Sequence, residues 1–263
     1  MEKNNIKVKD DKLEIISTSG VYKIPFTIII LVEIYISAII VILINLWYYS
    51  GLYYLLTGEK LFSFSPNAKW WYWLLLPLNV YGNLFLFLII IMVISIMIFK
   101  ILNKIHPPRE GRFKKGSKDW KYMHRRFWTA YFPIWLARAM PFPWADIIVY
   151  RLFGVKIGKS VVAYEGYIDP ELIKIGHSTM TSLHICIFSH LIYHDEVLIK
   201  KVMVGKNCVI GPHSILSPGT ILEDGAVLGA ASYTKPNQIL EGDLIWIGRP
   251  ATKKFPLSPT KNS

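Results

Sequence analysis

Cysteine is almost missing from this chain: Cys186 and Cys208 are the only two, too few for a disulfide scaffold. With a polar N-terminus that lacks a signal-peptide cleavage pattern, the chain is expected to face a reducing compartment, both thiols serving as small core residues. Charge is scarce as well. Only 18% of the 263 residues are charged against 52% hydrophobic, and the mean hydropathy is +0.35. That balance excludes a disordered tail and an ordinary soluble domain. Acidic residues are in deficit, 18 against 30 Lys+Arg, for a formal charge of +12.

The excess is local. Residues 1–99 carry 7 basic and 6 acidic side chains, residues 100–160 carry 14 and 3, and residues 161–263 carry 9 of each. A single basic block beside a hydrophobic segment suits anionic lipid head groups, since juxtamembrane Lys/Arg gain on the order of 1 kcal/mol each there. Membrane lipids are therefore the expected partner, and nucleic acid is not.

Two long apolar runs precede the block. Residues 25–47 make 23 residues, roughly 34 Å as a helix, enough for a hydrocarbon core about 30 Å thick. Glu33 is the only charge in that run and needs a partner, a proton or the interface. The second run, 70–99, opens with Trp70, Trp71, Tyr72 and Trp73 as an interfacial belt, and Pro77, Asn79, Gly82 and Asn83 offer a kink or a contact with the first helix. Five basic residues precede the first span, two lie in the loop 48–69 and ten follow between Lys100 and Arg126. The positive-inside rule then places both termini and the large C-terminal segment in the cytoplasm of a multi-pass cell-membrane protein. The stretch 120–150 mixes Arg125, Arg126 and Arg138 with many aromatics and is broken by Pro133, Pro141 and Pro143. Such a mix suits broken helices in the interface plane, or a covered layer against the next domain.

From Val155 onward an aliphatic residue recurs about every six positions, often followed by Gly: Ile157-Gly158, Ile175-Gly176, Val204-Gly205, Ile210-Gly211, Leu216-Ser217, Leu222-Glu223 and Leu228-Gly229. Small residues share the register at Thr179, Cys208, Ser214, Thr220, Ala226 and Ser232. This is the pattern of a parallel β-helix with triangular coils, one aliphatic side chain inward per side. The glycines are read as serving the corners, where a permissive backbone is needed. The repeat is interrupted between Ile187 and Val204, and His190 lies in the interruption with Asp195 and Glu196 close behind. Imidazole titrates near neutrality and suits proton transfer, and either carboxylate is a candidate to orient it.

On this repeat, the lead-in Arg151-Leu152-Phe153-Gly154-Val155-Lys156-Ile157-Gly158-Lys159 and the closing Gly248-Arg249-Pro250-Ala251-Thr252-Lys253, residues 149–254 resemble the hexapeptide-repeat acyltransferases, which include maltose and serine acetyltransferases. The plan of two spans and a basic aromatic stretch before this lead-in also resembles the C-terminal membrane region of ε-poly-lysine synthetase-like proteins. The first resemblance implies a left-handed β-helix, a homotrimer with active sites between neighbouring coils, and acyl transfer from acetyl-CoA or another acyl-CoA as co-substrate. It matches His190 to the family's general base. It puts the pantetheine arm along Gly229, Ala230, Ala231 and Ser232 and the phosphate end by Arg249, Lys253 and Lys254. Thr181-Ser182 stand where an acceptor-contacting Asn is expected, and Cys208-Val209 where sugar acetyltransferases often carry an aromatic. The carbonic anhydrases that share the β-helix need paired histidines five apart, and none follows His213 near position 218, so no metal is expected.

The expected fold is a membrane-anchored all-β chain: an N-terminal tail (1–24), a hairpin of two transmembrane helices (25–100), an interfacial helical segment (101–150), a left-handed parallel β-helix (151–254) and a C-terminal tail (255–263). The expected function is a CoA-dependent O- or N-acyltransferase, acetyl by preference, acting at the cytoplasmic face on a membrane-bound acceptor such as a lipid-linked sugar or glycan. The alternative is a non-catalytic trimeric scaffold or an accessory module of a peptide-synthesising membrane assembly.

Overall fold

A computed structural model describes residues 24–48, 70–139, 144–163 and 165–257, with positions 51, 54, 55, 58 and 142 between them, and only the backbone of 24–26 and 70–76. The readings of the N-terminal tail, the aromatic belt, most of the loop 48–69, Pro141, Pro143 and the end of the C-terminal tail fall outside these residues.

Helices α1 (Ile24–Trp47) and α2 (Trp70–Ile105) follow the two apolar runs, and both are long and apolar enough to cross a membrane. They pack through a polar seam. Ser95 Oγ donates to Glu33 Oε2 at 2.9 Å, and Asn45 Nδ2 donates to Asn83 Oδ1 at 2.6 Å. Glu33 is thus buried against the second helix at 1% exposure, while Gly82 faces open space.

The basic aromatic stretch is helical. α3 (Lys118–Ala139) runs unbroken through Pro133, and α4 (Ala145–Phe153) ends at Gly154, whose positive φ of 111° a Cβ would oppose. One face of α3 is covered, with Met123, Ala130, Ile134 and Ala137 buried, and Tyr131 and Trp135 are exposed on the other. Phe99 of α2 meets Phe153 of α4 edge-on at 5.1 Å, and both share one apolar core with the β-helix that follows. The segment is therefore a packed layer between the membrane hairpin and the coils rather than broken helices lying free. The expectation of an all-β chain is corrected here: among the described residues four long helical segments precede the coils, and the fold mixes α and β.

Short strands stack in three parallel sheets. One holds β2 (Lys156–Ile157), β4 (Ile173–Ile175), β9 (Val202–Val204), β12 (Ile221–Leu222) and β14 (Ile239–Leu240). The second holds β5 (Met180–Thr181), β10 (Val209–Ile210), β13 (Val227–Leu228) and β15 (Leu244–Gly248), with β16 (Ala251–Pro256) antiparallel at its end. The third holds β3 (Tyr167–Ile168), β6 (Cys186–Ile187) and β11 (Ile215–Leu216). Ile175 pairs with Ile157 and Leu222 with Val204, so a coil takes 18 residues. Val204 instead pairs with Ile175 after 29, so the interruption adds 11. Ile175, Val204, Ile210, Leu216, Leu222 and Leu228 point inward, as do the small residues Thr179, Cys208, Ser214, Thr220, Ala226 and Ser232. Cys186 is only half-buried, so of the two thiols Cys208 alone is a core residue.

The glycines have a different role from the one expected. The left-handed corners fall at Ser178, His184, Asn207, His213, Gly219, Gly225, Ala231, Asn237 and Asp243, mostly not glycine. The glycines that follow the aliphatics lie where successive coils touch: a Cβ on Gly211 would come 2.7 Å from the Ala230 nitrogen, and one on Gly158 2.7 Å from that of His177. They are required by stacking, because no Cβ fits between two backbones in contact.

Candidate active site

The eleven extra residues form a hairpin, β7 (His190–Tyr193) against β8 (Glu196–Ile199), and β1 (Gly111–Lys114) adds a third antiparallel strand from the segment before α3. The hairpin leaves the coil just after β6, whose register puts Ile187 on Ile168. Asp169 of the coil below therefore lies under the start of the hairpin. It is 1% exposed. Its Oδ2 accepts from the Ser189 backbone nitrogen at 2.7 Å and from Ser189 Oγ at 3.1 Å, and lies 2.7 Å from His190 Nδ1. Tyr167 donates its hydroxyl to Oδ1 at 3.2 Å. An ionised carboxylate only accepts, so it keeps the ring proton on Nδ1 and leaves the lone pair on Nε2. Among the described residues nothing hydrogen-bonds Nε2, and the side chain keeps 16% of its exposure.

Burial alone would lower the His190 pKa, but the charge and hydrogen bond of Asp169, with the more remote Glu171, outweigh it and hold the ring above its ordinary value. The ring stands edge-on to Phe127 at 5.3 Å, and Met123, Pro170 and Ile199 close the small crevice around it. Arg126, 1% exposed on α3, pairs with Glu171 and donates to the His106 carbonyl at 2.6 Å. Burial pushes the Glu171 carboxyl up to about 7 against the pull of Arg126. Asp119 is gripped by Arg109 at 3.0 and 2.8 Å and meets His106 Nε2 at 2.9 Å. His124 is buried nearby, its pKa pushed down to about 4 by burial and by the charge of His190. A membrane-side helix thus supplies one wall of the site.

Asp195 and Glu196 are not the partners of His190. Glu196 pairs with Tyr193 at the hairpin turn, while His190 pairs with Ile199 at the other end, three residues or roughly 10 Å along the strand. The Asp195 carbonyl accepts from the Lys115 nitrogen at 2.5 Å. Proximity in sequence misleads here because a hairpin carries its tip away from its base. Asp169 was missed: it precedes His190 by 21 residues, three more than one 18-residue coil, and only the stacking of β6 on β3 brings the two together. Nothing in the sequence pointed to Arg126 with Glu171.

Gly229, Ala230, Ala231 and Ser232 form a corner, and Arg249 joins them: its Nε donates to the Ala231 carbonyl at 2.7 Å, and Ser232 Oγ accepts from the Gly248 nitrogen at 3.0 Å. Lys253 and Lys254 follow on β16, where Lys254 is held by Glu241 at 2.7 Å and stands over the Trp246 ring at 5.5 Å. Along the coil, this corner precedes the third sheet, which Tyr233 joins by bridging Ile215, whereas His190 follows that sheet's β6. Thr181 points into the core and contacts no acceptor site, and Val209 faces outward. His184 and His213 stack at 5.3 Å on exposed corners. Among the described residues no three His, Cys, Asp or Glu side chains converge as metal ligands.

No family model and no curated protein matches the chain. Among solved structures it is similar to a maltose O-acetyltransferase from Clostridium difficile 630, at 12% identity and a TM-score of 0.42 over 56% of this chain and 92% of that one. A hexapeptide-repeat-containing acetyltransferase from Vibrio cholerae follows at 13% and 0.42, over 54% and 94%. A galactoside acetyltransferase in complex with coenzyme A matches at 16% and 0.38, over 54% and 84%.

Proposed function

We propose that the chain is a membrane-anchored, acyl-CoA-dependent O- or N-acyltransferase, with acetyl the expected acyl group and His190 the general base. The observation that carries this is the buried Asp169–His190 pair, which leaves Nε2 as an unbonded base on a crevice wall. The donor supplies an acyl thioester and the chain moves the proton. His190 Nε2 takes it from the acceptor hydroxyl or amine as that group's lone pair attacks the thioester carbonyl. As the carbon–sulfur bond breaks, the imidazolium returns the proton to the departing thiolate, so no net charge accumulates. Asp169 steadies the transient imidazolium.

The donor would lie along the small side chains of Gly229–Ser232, with Lys253 and the terminal nitrogens of Arg249, whose Nε is held by the Ala231 carbonyl, meeting phosphate oxygens, as ammonium and guanidinium groups do. Lys254, already paired with Glu241, is the weaker candidate. Because this corner and His190 are apart in one chain, the reading requires a second copy to complete each site, in keeping with a homotrimer. Val162, Met180, Val209, Val227 and Ile245 form an outward apolar ladder on one β-helix side and suit that contact. With the β-helix in the cytoplasm, the acceptor is a membrane-bound one.

The test is release of CoA thiol from acetyl-CoA by detergent-purified protein with a membrane-lipid extract as acceptor. Wild type should release CoA only with extract, and His190→Ala, as the same oligomer, should lose about a hundredfold or more. If neither protein binds CoA, the reading falls and a non-catalytic scaffold takes its place.

A further inference from the structure

α1, α2 and α3 enclose a crevice of about 260 Å³ on the side of α3 away from His190. Its walls are aliphatic: Ile28, Val32 and Ile36 of α1 face Ile98 and Leu102 of α2. Ile28 and Val32 are also half-exposed on the outer surface of the hairpin, so the crevice opens sideways toward lipid. Three polar residues break this lining, of which Thr129 is satisfied, its hydroxyl donating to the Arg125 carbonyl at 2.8 Å. Arg125 of α3 lies on the wall with its guanidinium 4.9 Å from the Tyr122 ring centre. Unlike Arg109 and Arg126, it pairs with no carboxylate among the described residues. Glu33, 1% exposed, also lines the crevice; Ser95 satisfies Oε2, while Oε1 has no partner among the described residues. An apolar slot beside a spanning helix, with a lone cation on its wall and an unanswered buried oxygen, asks for a ligand that is hydrocarbon for most of its length and carries an anion at one end.

We propose that this crevice binds a phosphate-bearing membrane lipid, its chain along the aliphatic walls and its phosphate on Arg125. A hydroxyl or amide near the head of that lipid would answer Glu33. Resting on the acyl-transfer reading, the site also defines the acceptor. Phe127, which touches His190, is two residues on from Arg125 and so about 200° round α3. A phosphate on Arg125 then lies a full helix diameter, about 10–12 Å with side chains, from the Phe127 face, and the His190 ring stands 5.3 Å beyond Phe127, so about 15 Å or more separates phosphate and base. The acylated group must project that far round α3 from the phosphate, as a glycan of several sugars carried on a lipid phosphate does and a simple phosphatidate does not.

The probe is native mass spectrometry of the full chain in detergent, offered polyprenyl phosphate, the matching free polyprenol, phosphatidylglycerol or phosphatidylcholine. Wild type should retain one polyprenyl phosphate per protomer at least tenfold better than the polyprenol. Arg125→Ala should lose that preference, Val32→Trp should fill the slot and lose the lipid altogether, and Lys121→Ala and His190→Ala should both keep it. Equal retention of all four lipids, or an Arg125→Ala protein that binds as wild type does, overturns the proposal. Thiol release is scored separately on the same preparations. Turnover without selective retention sinks the lipid site and leaves acyl transfer standing, whereas selective retention without turnover supports the site and removes the acyl-transfer reading.

Discussion

At the scale of single residues, the proposed chemistry turns on the fate of one proton. On that reading His190 acts as a base only when neutral, and Asp169 holds its pKa above the ordinary 6.5. The acid limb of the kcat/KM profile should therefore fall above pH 6.5, with activity lost as the pH drops through it. Asp169→Asn removes the charge that favours imidazolium, so that limb should move to lower pH while the maximal rate falls by about a hundredfold, in the range of a lost acid–base contribution. A pH–rate profile of both proteins checks this, and a limb that stays in place would show that Asp169 does not set it. Glu196→Gln, at the hairpin tip, should leave the profile unchanged. His190 was legible in the sequence because a repeat makes its own interruption conspicuous. Asp169 was not, since its closeness to His190 exists only once one coil is laid on another.

Elements are held by contacts that permit few substitutions. Gly211→Ala would push a methyl group into the Ala230 backbone, where there is no flexible side chain to yield. Overpacking of this kind costs about 1–3 kcal/mol, so the melting temperature should fall, while Gly219→Asn, at a half-buried left-handed corner of a type that Asn fills at 207 and 237, first meets the movable side chain of Asn237 and should cost less. Comparing the two melts separates stacking from corner conformation. The Arg126–Glu171 pair joins α3 to the coil beside Asp169. Removing one partner from a buried pair leaves the other charge stranded at a cost of about 3–5 kcal/mol. Arg126→Met should therefore destabilise more than the double change Arg126→Met with Glu171→Leu. Denaturant unfolding of Arg126→Met, Glu171→Leu and the double variant measures the coupling, and additive losses would argue against the pair.

For the whole molecule the open surface is as telling as the core. The outward ladder leaves Val162, Met180 and Val209 exposed and Val227 and Ile245 half-buried along one side of the β-helix. Contiguous exposed apolar surface of this kind marks an interaction site. Met180→Lys with Val209→Lys should convert a trimer to monomers in light scattering and abolish thiol release with it, because the donor corner and His190 would no longer meet. A monomeric wild type would remove the homotrimer. By itself the sequence determined the two apolar spans, the coil repeat and the place where it breaks, since each is a periodicity or a run that neighbouring residues alone express. The tertiary structure decided the partner of His190, the stacking role of the glycines, and the conversion of a basic aromatic stretch into a wall shared by the His190 crevice and the apolar crevice against α1 and α2. Those depend on which distant segments touch, and an 18-residue coil with an 11-residue excursion brings together residues that no local pattern relates.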